Sequence, residues 1–335
     1  MAIKRLVYVL LVVVALVVVA VPAIAQDDAI IADGLTNPRQ MFYDADGNLY
    51  IADVGTAGPL VTEEGTAYGN DGSILMVTPD GEISPVLAGF ISYREGSPLG
   101  VHAVNVTDES YWVLLGETTT PALAFSHALV EIDREFNRIH TFVDLYTFEV
   151  TEDPDGNPDG ASNPTDFVIL DDGSFLIVDS GCNCLTNWTP ETGVTLAVAW
   201  SQADDNPVPT SVALGPDGDI YVGFLTGFPF PQGGSRIERW SGGELVQTYE
   251  GLTAVTDVLV TEAGEIYAVE HGVFEMGAGW GPGRVVLVSE DGLTPVMEGL
   301  TVPYGLAQAP DGTIAVSVGS TPQGEGAVLA VPTMQ

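Results

Sequence analysis

A short unit recurs six times along this chain: a turn signal, an apolar strand, Asp-Gly or a variant, and a second apolar strand. Four copies are clear, at residues 38–53 (PRQMFYDADGNLYIAD), 164–179 (PTDFVILDDGSFLIVD), 209–224 (PTSVALGPDGDIYVGF) and 303–318 (PYGLAQAPDGTIAVSV). Residues 255–270 (VTDVLVTEAGEIYAVE) form a fifth copy and 100–115 (GVHAVNVTDESYWVLL) a degenerate sixth. Each unit is a small sheet that cannot bury both faces alone, so a repeat of this kind decides the architecture before any single residue does.

The turn positions Gly47, Glu109, Gly173, Gly218, Gly264 and Gly312 stand 62, 64, 45, 46 and 48 residues apart. The last three steps match one four-stranded propeller blade. The two long steps hold insertions at residues 56–71, 117–126 and 146–162. A second hairpin follows the repeat in blades 1, 4 and 5, with turns at Pro79-Asp80-Gly81, Gly242-Gly243 and Asp291-Gly292. Blade 6 runs out of chain after a third strand at residues 327–331, and residues 29–32 (AIIA) are free to supply its fourth. The chain therefore reads as an all-β, six-bladed β-propeller with four-stranded blades, in which the N-terminal strand completes the last blade and hides two sheet edges.

The first residues have the form of an export signal: Lys4 and Arg5, an apolar run at 6–21, and Pro22-Ala23-Ile24-Ala25 ahead of Gln26. The run is short for a bilayer span, so cleavage near Ala25 is expected, with an uncleaved anchor as the alternative. Residues 1–25 are read as the signal peptide and 26–335 as one propeller domain, exported to the periplasm or outside the cell. No membrane span is expected in the mature chain, which is expected to be a monomer. Of nine basic residues two lie in the leader, leaving seven arginines against 46 acidic residues, a formal charge of −39. Such a surface repels phosphate backbones and excludes nucleic acid as a partner. The two cysteines, Cys182 and Cys184, are too close for an unstrained bridge and are read as structural residues, with a labile bridge as the alternative.

Three segments carry a family resemblance: residues 157–166 (NPDGASNPTD), 225–232 (LTGFPFPQ) and 299–305 (GLTVPYG). With the leader and the six repeats they resemble the ScyD/ScyE family of exported, NHL-like propellers over essentially the whole mature chain. The TGFPFP segment is the most specific, because the repeats alone are shared with NHL-type and lactonase-type propellers. Founding members are encoded beside genes for scytonemin, an indole-phenol pigment. The resemblance implies a role accessory to late extracytoplasmic steps of pigment or secondary-metabolite synthesis, and it brings no catalytic constellation. Cys182, Cys184 and the degenerate second blade depart from the family pattern.

The first strand of each propeller blade lines the central channel. Counting back seven residues from each turn gives Gln40, His102, Asp166, Ser211, Asp257 and Gly305. Five polar side chains would ring the axis as a ligand-binding layer, with Asp166 and Asp257 as candidate ligands for calcium, the one cofactor this ring suggests. His102 would titrate near neutrality. A second set, Asp53, Asp179 and Glu270, follows second strands and is expected to tie down the next loop through backbone N–H groups. Residues 153–159 alternate oxygen side chains but lack the spacing and terminal Glu of an EF-hand, and are read as an ordered acidic loop. Phe228 and Phe230, stiffened by Pro229 and Pro231, form an aromatic loop for ligand binding, with Trp280 and Tyr68 of the same character. If these loops share a face with His102 and Asp257, they make an aromatic-rimmed acidic funnel. The functional expectation is a non-catalytic binding protein for a small aromatic molecule or a protein partner. The alternative is a cation-dependent lactonase, hydrolase or lyase working at the channel.

Overall fold

The computed structural model describes residues 30–61, 66–94, 98–118, 125–158, 160–201, 206–320 and 325–332. The expected leader and Ala29 lie outside them. Among the described residues no helix is long and apolar enough to cross a membrane. Six antiparallel sheets follow one another around an axis, as the repeat requires. Blade 3 shows the plan: Pro164–Ile169 lies innermost, with Phe175–Asp179, Cys184–Thr189 and Gly193–Ala199 following outward. Blade 6 is built from both ends of the chain. Leu306–Gln308, Ile314–Val318 and Gly326–Val331 are joined by Ile30–Leu35, which pairs with Gly326–Val331.

Second strands such as Leu49–Asp53 and Ile314–Val318 are buried along their whole length, because a neighbouring blade covers each face. The apolar residues between blades fall into six clusters, one per gap. Tyr50, Ile74, Val104 and Val113 fill the space between blades 1 and 2, and Ala32, Leu35, Met41 and Val328 fill that between blades 6 and 1. Each fully buried Leu, Val or Ile contributes about 1.5–3 kcal/mol. Side-chain hydroxyls also clasp neighbouring blades together. Thr210 donates to the Val255 carbonyl and Thr256 to that of Tyr304, both at 2.8 Å, and Ser317 donates to that of Arg39 at 3.0 Å.

Blade 2 is degenerate for a local reason. Elsewhere the turn between the first two strands needs a left-handed glycine, such as Gly47 (φ 82°) or Gly173 (φ 81°). In blade 2 the turn is one residue shorter, closing from Thr107 N–H to the Ser110 carbonyl, and Glu109 needs no such conformation. The start of the insertion after blade 2 is helical, Leu145–Glu152, capped by Asp144, whose carboxylate accepts from Thr147 N–H. Cys182 and Cys184 are paired in a buried disulfide. The sequence reading takes the pair as too close for an unstrained bridge and keeps a bridge only as the alternative. Cys182 lies in the turn before strand Cys184–Thr189, where the Cα atoms are 5.3 Å apart.

The acids after second strands do brace loops. Asp53 accepts from the N–H groups of Thr36, Asn37 and Gly55. Asp179 accepts from Asn163, Gly181 and Cys182 N–H and from the Ser162 hydroxyl. Glu270 accepts from Thr253 N–H and pairs with Arg284. Removing the Asp179 carboxylate leaves several buried donors without a partner. Asp179→Ala is expected to lower the unfolding free energy by about 3 kcal/mol, measured by urea denaturation at neutral pH; an unchanged midpoint would show that water replaces the carboxylate at no cost.

Candidate functional site

Strand register, rather than residue counting, fixes which side chains share a level on the axis. Innermost strands carry a bulge after their first residue: Pro164 pairs with Asp179, but Asp166 pairs with Val178. Applied around the ring, this places Gln40, Ala103, Asp166, Ser211, Asp257 and Gly305 in one layer. His102 is not in it. The shorter blade 2 turn shifts the count by one, so His102 occupies the bulge, level with Arg39, Thr165, Thr210, Thr256 and Tyr304. Gly116 leaves room for its ring: a Cβ there would lie 2.9 Å from the imidazole Cε1.

Large and small side chains alternate in the axial layer. Blades 1, 3 and 5 project Gln40, Asp166 and Asp257, while blades 2, 4 and 6 contribute Ala103, Ser211 and Gly305. A Cβ on Gly305 would lie 2.6 Å from Gln40 Oε1, so the glycine is what admits the glutamine. Asp166 accepts from Phe167 N–H and, across the gap to blade 4, from Val212 N–H at 2.9 Å. Asp257 does the same with Val258 and, in blade 6, with Leu306 N–H at 2.6 Å. Burial pushes the Asp166 carboxyl up to about 7 against these two donors. Asp257 is raised well above the usual carboxylate range, first by burial and then by the charge of Asp166, with the neighbouring N–H groups and the Gln40 amide pulling the other way. The Ser211 hydroxyl meets no partner in hydrogen-bond geometry. A channel cavity of about 210 Å³ borders Gln40, Asn105, Asp166 and Asp257.

The loops between second and third strands share the face on which innermost strands begin, and there blades 4 and 5 bring the aromatic residues together. Phe228, Phe230, Phe274 and Trp280 form one cluster, with Phe230 and Trp280 ring centroids 4.9 Å apart. Trp280 is held by a short hairpin, Phe274–Glu275 paired with Gly279–Trp280. Phe228 is 64 % exposed. Trp280 lies 4.8 Å from His271, His271 lies 6.4 Å from Tyr304, and the Arg39 guanidinium sits 4.1 Å above the Tyr304 ring. Tyr68 packs instead on Tyr93 in blade 1, with no ring contact to this cluster.

The expected acidic funnel is thus aromatic-rimmed but basic at its throat, since the aspartates turn to backbone N–H groups and Arg39 occupies the bulge above them. Arg39, His271, Tyr304 and Phe274 were missed as site residues. The aromatic segment around Trp280 was their one sequence signal. His271 Nδ1 lies 2.9 Å from the Pro303 carbonyl, which only accepts, so Nδ1 carries the proton and Nε2 is the free base. Burial pulls His102 down to about 3 and His271 to about 4, and the Arg39 charge adds to both shifts. Both imidazoles are neutral at pH 7. The acidic loop lies elsewhere, beside blade 3. Asp155 accepts from Asn157 N–H and from the Asn183 amide, and carboxylate oxygens of Glu149, Asp153 and Asp155 converge within 4.8 Å. Asp159 is outside the described residues.

Solved structures share this fold. A gluconolactonase from Xanthomonas campestris superposes with a TM-score of 0.56 at 13 % identity, covering 92 % of this chain and 91 % of its own. Regucalcin, a calcium-binding protein from Agrobacterium tumefaciens, gives 0.55 at 12 % identity, with 91 % and 95 % covered. A streptogramin B lyase gives 0.50 at 12 % identity, with 89 % and 95 % covered. No family model and no curated protein sequence matches the chain. The likeness is one of fold: a six-bladed propeller of the kind that carries lactonases, lyases and regucalcin.

Proposed function

We propose that this protein binds a small planar aromatic molecule at the mouth of the propeller, on the rim cluster of Phe228, Phe230, Phe274 and Trp280, with the buried Arg39–Tyr304 pair behind it. One observation carries the reading: an unbroken line of ring contacts, Phe228–Phe230–Trp280–His271–Tyr304, runs from the exposed rim to the guanidinium of Arg39. Rigid aromatic walls lose little entropy on contact and favour flat ligands. Thr226 and Phe230 hold left-handed backbone conformations (φ 73° and 57°), which cost about 1–2 kcal/mol each, so tertiary structure imposes the shape of this loop. The resemblance to the ScyD/ScyE propellers supports an exported protein serving late steps of pigment or secondary-metabolite synthesis. An indolic or phenolic ligand at a hundredfold excess over its dissociation constant should stabilise the protein by about 2.7 kcal/mol. Trp280→Ala is expected to weaken binding at least roughly tenfold in calorimetry. Equal affinity in that variant would move the site elsewhere.

A second reading is a lactonase, hydrolase or lyase acting on the same molecule. The fixed tautomer of His271 favours it, because a neutral Nε2 beside an arginine is equipped to take a proton while the cation holds the developing negative charge. The gluconolactonase and the lyase that share the fold add weight to it. In this case His271→Ala should cut turnover of an aryl lactone about 10²- to 10⁴-fold with KM little changed. Turnover that persists in the variant would leave the binding reading alone.

A further inference from the structure

We propose that Asn183, held between Cys182 and Cys184 by their disulfide, is a positioning residue that fixes the shape of the aromatic loop from the neighbouring blade. The inference rests on the reading of the rim as the ligand site and names the contact that sets that rim. Asn183 stands in the turn between the second and third strands of blade 3, and the aromatic loop follows the second strand of blade 4. Residues 206–208, which lead into the innermost strand of blade 4, are bonded to both.

Asn183 is buried, and both donors and the oxygen of its side-chain amide are engaged. The oxygen accepts from Val208 N–H at 2.9 Å, and Nδ2 donates to Asn206 Oδ1 at 3.1 Å and to Asp155 Oδ2 at 3.0 Å. The next link is a run of three backbone bonds. Leu225, Thr226 and Gly227 N–H donate to the carbonyls of Val208, Pro207 and Asn206, at 2.8, 3.0 and 2.7 Å. Glycine is needed at 227, because a Cβ there would lie 2.7 Å from Asn206 Nδ2. The Gly227 carbonyl then accepts from Phe230 N–H at 2.9 Å, and Phe230 packs on Trp280. Asn183, Asn206, Val208 and Thr226 along this path all hold left-handed backbone, with φ of 49°, 46°, 50° and 73°. Asparagine tolerates that region, but a β-branched residue such as Val208 does not, so residues 206–208 keep their shape because they are tied on both sides. The disulfide restrains the start of the path. It bridges the residues on either side of Asn183 and so limits the directions its amide can take.

Hydrogen exchange reads this positioning without any ligand. Asn183→Gly keeps the left-handed backbone and the disulfide and removes only the amide, so it should fold. The amides of Leu225, Thr226 and Gly227 are expected to exchange at least roughly tenfold faster in it, while those of Leu49–Asp53 in blade 1 keep the wild-type rate. Cys182→Ser/Cys184→Ser keeps the amide and frees the turn, and should shift the same loop amides in the same direction by less. Indole is the binding probe, titrated by calorimetry, and its affinity should fall at least roughly tenfold in Asn183→Gly as the loop loses its preset shape. Loop exchange that is unchanged in either variant overturns the proposal. So does acceleration shared equally with Leu49–Asp53, which is a loss of stability alone, and so does full wild-type affinity for indole in Asn183→Gly. A wild-type protein that binds no indole, with a loop that still loosens in both variants, would leave the positioning role standing and remove the aromatic-site reading instead.

Discussion

A chain that begins at Asn37, without Ile30–Leu35, is expected to lose cooperative unfolding and to aggregate at concentrations where the full chain is soluble. The segment is the outermost strand of blade 6, paired as Ile30 with Leu329, Ala32 with Val328 and Leu35 with Gly326. It is the covalent tie between the first blade and the last. Ala32 and Leu35 are buried with Met41, Leu49, Ile51, Ala315 and Val328. Emptying the Leu35 position alone would cost about 2–5 kcal/mol. The larger loss is topological. Gly326–Val331, an apolar strand, would become an open edge, a template for pairing with other chains. A second deletion, of residues 1–28 only, is the control and should melt like the full chain. Circular dichroism melts and gel filtration check both. A sharp, reversible transition in the shorter chain would mean that blade contacts alone close the ring.

The same closure was legible in the sequence because it follows from counting strands: five complete blades and three strands over, with one spare at the other end. Turn chemistry made the count secure, since glycine marks five of the six turns. The axial site was legible only in part. Asp166 and Asp257 follow from the repeat, but His102 was placed in their layer because residue counting assumes equal turns, and the blade 2 turn is one residue short. The mouth was harder still. Arg39 and Tyr304 sit one residue before the ring positions that were read, on a bulge that reverses which side chain faces the axis, and a bulge has no signature in a single sequence. The contact between Phe230 and Trp280 joins loops of two blades, so only the ring geometry could bring them together. Helix Leu145–Glu152 escaped notice because its apolar residues show little amphipathic pattern and its start is marked by Asp144 alone.

Acid is expected to destabilise this fold through histidine, and the expected size is large. His102, His127 and His271 are held in the neutral form, lowered from 6.5 to about 3, 4 and 4, chiefly by burial. In the unfolded chain each imidazole takes up a proton below about pH 6.5. The unfolded state therefore binds more protons between that pH and about 4, and stability falls as the pH drops through this window. At about 1.4 kcal/mol per unit of pKa, each histidine contributes about 3–5 kcal/mol of acid sensitivity. Asp166, Asp257 and Asp179 act with the opposite sign. Burial raises their carboxyls, that of Asp166 to about 7, so they hold a proton in the fold where the unfolded chain has lost it, and acidification recovers part of the loss. His127 separates the two effects, because it lies away from the axis, buried against Tyr146 and hydrogen-bonded to the Ser126 hydroxyl. Gln at this position keeps a hydrogen-bonding side chain and cannot titrate. The drop in unfolding free energy from about pH 7.5 to about pH 4 should be smaller in His127→Gln than in wild type by about 3 kcal/mol, read by urea denaturation in chelator at each pH. Parallel pH curves for the two proteins would mean that His127 takes up its proton in the folded state, and that burial in blade 2 does not hold it neutral.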